Sequence, residues 1–189
     1  MTMNMQLRPG VAADAAAIHN LITANLSVGH LLPRTFEDVE SHAHRFVVAV
    51  NDDTVIGCGE LAPLSAEVAE VRSLVVDEAC RGQRTGVALV NALADRARDL
   101  GYVTLCAFTH QPSHFVRLGF SIVPHVWVPE KIALDCVGCS QFRQCGQYAV
   151  TLPLRVGAGL RLEQTAPPSR AVAAPRASVE RLRLLPVTA

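Results

Sequence analysis

The spacing of hydrophobic and polar positions changes along the chain, and each change of period marks an element. Residues 6–8 read as a short strand. Asp14 then precedes Ala17, Ile18, Leu21 and Ile22, apolar at the spacing of one helical face, with the acidic residue where the helix dipole favours it. Residues 30–34 contain Pro33 and form a loop or helix break, after which Thr35 is a suitable N-cap for a helix beginning at Phe36. FVVAV (46–50) and VIGCGEL (55–61) are strand-like runs separated by turn residues, which is a hairpin. EVRSLVV (70–76) is too continuously apolar at its end for a half-exposed strand, so it belongs at the centre of a sheet.

The period then lengthens. EACRGQRTG is a polar, glycine-bearing connection into VALVNALADRARDL, where Val87, Leu89, Val90, Leu93, Ala94 and Ala97 mark one helical face and Arg96, Arg98 and Asp99 the other. Gly101 closes that helix as a left-handed cap. YVTLCAF is a further strand, PSHFVRL a short helix with Pro112 in its first turn, and Gly119 stops it before the strand FSIV. Residues 1–154 are thus expected to form one domain. Residues 155–189, rich in Ala, Pro and Arg with poor periodicity, read as a loosely ordered tail with at most a short helix near 179–185.

Composition narrows the class. Half of the 189 residues are hydrophobic but only 5% are aromatic, so the core is built mainly from Val, Leu, Ala and Ile, as suits an α/β protein with buried strands. Lys plus Arg and Asp plus Glu are equal at 17 each, which leaves no net field to gather nucleic acid or an anionic membrane. The N-terminal MTMNMQLRPG lacks the apolar core of a signal peptide, and no run approaches the roughly 20 apolar residues that span a bilayer. The expected address is the cytoplasm, where the six cysteines stay reduced. A homodimer is compatible with the sequence.

Chemistry concentrates where the central strand meets the long helix. The first turn of a helix near residues 85–90 leaves backbone N–H groups unpaired and adds partial positive charge, a place that a diphosphate fits. Gly82 and Gly86 permit close backbone approach, while Arg81 and Arg84 add charge.

This loop resembles the acetyl-CoA loop of the GNAT N-acetyltransferases, written Q/R-x-x-G-x-G/A, with Arg81 and Gly86 at its ends and Arg84 in place of the middle glycine. EVRSLVV resembles the family strand beside the pantetheine arm, and HFVRLGF its F-x-x-L-G-F. A narrower resemblance, over roughly 7–154, is to the short amino-acid N-acetyltransferases that make N-acetylglutamate. It rests on LLPRTFEDVESHAHRFVVAV, VIGCGEL, AEVRSLVVD, FTHQPSHFVRLGF and VPEKIALDCVGCSQFRQC. Gly146 and Gln147 stand where that family commonly has an acidic pair, and His110 where a Tyr is usual.

The resemblance implies a mixed, mostly antiparallel sheet flanked by helices and splayed at its middle for acetyl-CoA. The cofactor would lie along Leu74, Val75 and Val76 and the loop Arg81, Gly82, Gln83, Arg84, Thr85 and Gly86. The acceptor would be a small amino acid, glutamate first, with another amine or a protein N-terminus, or a non-catalytic acyl-CoA sensor, as alternatives. N-acetylation needs a neutral amine and a proton for the leaving thiolate. Glu70 is the favoured base and Glu60 the second choice; Phe115 fills the usual place of a Tyr acid, so His114, His110 or water must protonate the thiolate. Arg34 is the favoured reader of the acceptor's carboxylate, with Arg72 and Arg117 as alternatives and Lys131 behind them. Arg72's facing depends on any bulge in its strand. Cys136, Cys139 and Cys145 form C-x2-C-x5-C without a clear fourth ligand, so no metal is assigned and packed or redox-sensitive thiols are expected.

Overall fold

The computed structural model describes residues 5–26 and 31–155. The expected tail helix lies outside them, and the tail is met only at Arg155, whose guanidinium donates to Gly101 O at 2.8 Å.

Seven strands form one sheet in the order β1-β2-β3-β4-β5-β7-β6: β1 Met5–Pro9, β2 Phe46–Asn51, β3 Thr54–Pro63, β4 Val68–Val76, β5 Thr104–Thr109, β6 Ser121–Val123 and β7 Tyr148–Pro153. EVRSLVV is indeed the central strand. β7 is not among the strands expected from the pattern; it inserts between β5 and β6 and pairs antiparallel with both. Its signal was masked by the irregular cysteine-rich segment before it and by Pro153 at its end, which a strand tolerates only near an end or an edge.

Helices cover both faces. The long helix α3 (Thr85–Asp99) buries Leu89, Val90, Leu93, Ala94 and Ala97 against Val47, Val71, Leu105 and Ala107. Val87, expected on that apolar face, is only half-buried and turns to a surface concavity. On the other face α1 (Ala15–Ala24) buries Ile18 and Ile22 against Phe46, Val48, Cys58 and Val75, beside α2 (Phe36–Ser41). Thr35 caps α2, accepting from the N–H of Asp38 at 3.2 Å. Asp14 sits in a 3-10 turn ahead of α1, where it accepts from the N–H of Val11 and a bidentate pair from Arg8 at 2.6 and 2.8 Å. Gly101 and Gly119 have φ of +86° and +90°, the left-handed stops that the sequence asks for.

Two irregularities of β4 make room for a site. The strand pairs with β5 in parallel only through Val68–Val71, matched to Thr104–Ala107, so beyond Arg72 its β5-facing edge has no partner strand. Against β3 the register shifts between Cys58 and Glu60, where Ser73 takes a φ of +46°. One extra residue reverses the alternation of faces: Ala69 and Val71 belong to the core under α3, and beyond the bulge Leu74 and Val76 do, while Val75 turns to α1. Glu70 and Arg72 therefore point away from α3.

Candidate active site

The two halves of the site lie along β4. At its end, a 3-10 turn (Glu78–Cys80), capped by Asp77, leads through Arg81, Gly82, Gln83 and Arg84 into α3. Gly82 has a φ of +80° and Arg84 one of +63°. Arg84 thus keeps the left-handed backbone that the family's glycine would supply, with its side chain exposed and without an ion pair among the described residues. A Cβ on Gly86 would come within 3.6 Å of the His114 ring and 3.8 Å of Val76, and one on Gly82 would meet nothing. Val76, Gly82, Arg84, Gly86, Val87 and His114 line a concavity of about 310 Å³ at this helix N-terminus. Two buried polar atoms there, Thr85 Oγ1 and His114 Nε2, lack a partner in the protein. A concavity with free helix N–H groups, a bare glycine wall and unpartnered polar atoms is chemically suited to a pyrophosphate.

Arg81 also lines this concavity. Its guanidinium turns back to Asn25 Oδ1 at 2.6 Å and Val76 O at 3.4 Å, fastening the loop to the end of α1. His114, on α4 (Pro112–Val116), faces the concavity; burial first, and then the charge of Arg117, hold its pKa below the ordinary imidazole range. Arg117 is exposed beside it.

The other half is a network of charges on the face opposite α3. Arg34 donates to Glu60 at 2.7 Å, to Ser73 Oγ at 3.3 Å and, through Nε, to Asp38. Its backbone is held by His19 Nε2, 3.1 Å from Arg34 O. Arg72 sits directly across from Glu60 in the β3–β4 ladder. It donates to Glu70 at 2.5 Å and to Asp135. Lys131, on α5 (Pro129–Lys131), holds both oxygens of Glu70 at 2.8 and 2.9 Å and Asp135 at 2.9 Å, and lies over the Phe108 ring. Asp135 follows on a π-helical turn, Ile132–Cys136. Glu60 and Glu70 are buried, at 2% and 3% exposure, whereas Asp38 and Asp135 are partly open to solvent. The guanidinium of Arg34 holds the Asp38 carboxyl below the usual carboxylate range. Burial, with the charge of Glu60, pushes the Cys58 thiol up to about 12.

Sequence reasoning thus named every cation of this network but ranked Lys131 last, and missed Asp38, Ser73 and Asp135. The tandem lysine and aspartate in PEKIALD was the available signal. It also ranked Glu70 above Glu60. In the structure both Glu70 oxygens are held by cations, whereas Glu60 gives one oxygen to Arg34. The three cysteines of C-x2-C-x5-C are free, and among the described residues no three His, Cys, Asp or Glu side chains gather as a metal set.

A sheet parted at its central strand, with a helix N-terminus at the parting, defines an acyl-CoA-dependent acetyltransferase architecture. The acetyltransferase (GNAT) family matches residues 15–120, more than half the chain, and the chain belongs to it, with acetyl-CoA as co-substrate. An uncharacterized N-acetyltransferase of Chlorobaculum tepidum is 30% identical over 142 residues, 75% of this chain and 92% of that protein. An amino-acid acetyltransferase of Mycobacterium tuberculosis is 33% identical over 118 residues, 61% of this chain and 67% of its own length; one from Shewanella oneidensis, 33% identical, is matched over only 29% of its length. Among solved structures, N-acetylglutamate synthase of Neisseria gonorrhoeae with coenzyme A and N-acetyl-glutamate superimposes with a TM-score of 0.71 at 22% identity. The overlap covers 82% of this chain and 36% of that one, and it supports the fold alone. Among the described residues no helix is long and apolar enough to cross a membrane.

Proposed function

We propose that the chain moves the acetyl group of acetyl-CoA to the α-amine of an amino acid bearing a second carboxylate, L-glutamate first, the reaction that opens arginine synthesis. The observation that carries this reading is the convergence of Arg34, Arg72 and Lys131, from three separate segments, on one face of β4 beside its unpaired edge. Three cations suit an acceptor with two carboxylates, and they are already interleaved with carboxylates that an acceptor could replace at the open positions of Asp38 and Asp135. Relatives named amino-acid acetyltransferases support the same acceptor class.

In this reading the loop 81–86 and the helix N-terminus hold the pyrophosphate, and the free edge of β4 orients the arm through its own N–H groups. Glu60, acting through water, receives the proton of the amine, and in this reading His114 or water returns one to the departing thiolate. Proximity supplies much of the acceleration, because the donor loop follows the end of β4 while Arg72 lies on that strand and Arg34 and Lys131 hydrogen-bond side chains of it. A cytoplasmic address and a homodimer belong to the same proposal, the first in keeping with six unpaired thiols.

Thiol release from acetyl-CoA with a panel of amino acids tests it. Turnover led by glutamate is the expected result. Turnover only with an uncharged amine would reassign the acceptor, and binding of acetyl-CoA without turnover would make the chain a sensor.

A further inference from the structure

The segment between α5 and β7 carries three thiols that the acetyl-transfer reading leaves unused. Three successive hydrogen-bonded turns fold it: Cys139 N–H to Cys136 O at 3.0 Å, Phe142 N–H to Cys139 O at 3.1 Å, and Gln144 N–H to Gln141 O at 2.9 Å. The first turn has Cys136 and Cys139 as its two ends. Such a turn keeps its end Cα atoms within about 7 Å, inside the range that a disulfide bridges. Both thiols are half-exposed, unlike the buried Cys58 and Cys106; burial first, with smaller contributions from neighbours that include Cys145 and Cys139, holds the Cys136 thiol above its ordinary range. The residue before Cys136 is Asp135, whose carboxylate occupies Arg72 and Lys131.

We propose that Cys136 and Cys139 form a reversible disulfide site whose closure withdraws Asp135 from Arg72 and Lys131 and so frees those cations for the acceptor's carboxylate. The oxidant is a small-molecule disulfide. One cysteine thiolate attacks it, forming a mixed disulfide and releasing one thiol; the second displaces the other half, forming the Cys136–Cys139 bond and releasing a second thiol. Two protein thiols are oxidised and one disulfide is reduced, the two protein protons leaving on the released thiols. Closure requires the two Cβ atoms to approach about 3.8 Å, and that movement is assigned to a rotation of the π-helical turn, whose Val137 N–H bonds to Ile132 O at 3.1 Å. Asp135 in the reduced form competes with the acceptor; in the bridged form it does not.

The coupling half of this inference rests on the acceptor reading above; the bridge does not. The test is to equilibrate the full chain with mixtures of reduced and oxidised glutathione, count free thiols, map the bridge by peptide mass spectrometry, and measure acceptor KM at each ratio. The expected result is loss of two thiols, a Cys136–Cys139 bridge retained in Cys145→Ser and lost in Cys136→Ser and Cys139→Ser, and an acceptor KM about tenfold lower after closure, the size of removing one competing charged hydrogen bond. Dithiothreitol restores the starting KM, the acetyl-CoA Kd does not move, and Asp135→Asn has a low KM that oxidation no longer changes. Six free thiols at every ratio, or a bridge between other cysteines, overturns the site. A Cys136–Cys139 bridge with acceptor KM unchanged overturns the coupling. If glutamate is not turned over, the thiol count and map still decide the bridge, and KM is read with whichever acceptor of the panel reacts.

Discussion

The proposed donor end and the proposed acceptor end of β4 are built on opposite principles. Around the loop 81–86 the shape is made by backbone: positive φ at Gly82 and Arg84, a bare Gly86, and a helix N-terminus whose N–H groups point outward. At the acceptor end the shape is made by side chains, and every cation is already paired. A backbone site is ready in the absence of ligand and is damaged by added bulk. A side-chain site is held by mutual charge, and removing one member disturbs both recognition and folding.

The sharpest break in that contrast is expected at Gly86. Gly86→Trp fills the trough and should weaken acetyl-CoA binding by at least about a hundredfold with the fold intact, whereas Gly86→Ala, whose Cβ stands 3.6 Å or more from its neighbours, should leave the Kd nearly unchanged. Isothermal titration of both variants checks this.

Next is Arg34→Ala. It should raise the acceptor KM by roughly ten- to a hundredfold and, because it strands the buried Glu60 carboxylate, lower unfolding free energy by about 3 kcal/mol. Pairing Arg34→Met with Glu60→Gln should recover most of the stability and none of the KM. Equal KM loss with an uncharged acceptor would remove Arg34 from carboxylate recognition.

Glu60→Gln alone should lower kcat by about a hundredfold or more with a flat kcat-pH profile, and Glu70→Gln should act mainly on stability and KM. The reverse outcome would restore Glu70 as the base.

Arg84→Gly relieves a left-handed residue and should raise stability by about 1 kcal/mol in denaturant titration, while acetyl-CoA Kd rises only a fewfold through loss of one charge. The smallest effect belongs to His114. Its folded pKa lies below the unfolded one near 6.5, so its contribution to stability is fully present above that value and is lost as pH falls through the folded pKa. Wild type should therefore lose more stability than His114→Gln between pH 7.5 and 5.5.

The same contrast explains what could be read in advance. The backbone half was legible because glycine, helix period and turn residues are local signals, and EVRSLVV, the glycine-bearing loop and the apolar face of α3 appear where the pattern put them. Arg81's partner Asn25 could not be foreseen, because it lies 56 residues away in sequence. The side-chain half was legible only as a set of residue types. Whether Arg72 faced the core or the site depended on a bulge at Ser73, a positive φ on a residue that gives no local hint of it, and the partners Asp38 and Asp135 are ordinary helix and turn acids until the fold gathers them. β7 escaped because its pairing partners are distant and its period is short.

The parting of β4 from β5 after four residue pairs has a further consequence. An unpaired strand edge at the rim of a sheet invites another chain to add itself and aggregate. Here the unpaired edge lies in the interior of the sheet, between two halves that still join at Val68–Val71, so a second polypeptide has no lateral approach. What suits such an edge is a slim chain whose amides can pair with one strand for a few residues, as the arm of acetyl-CoA would in the proposed reading. In that reading the donor takes the place of a missing strand, and the sheet's own unpaired amides become its recognition surface.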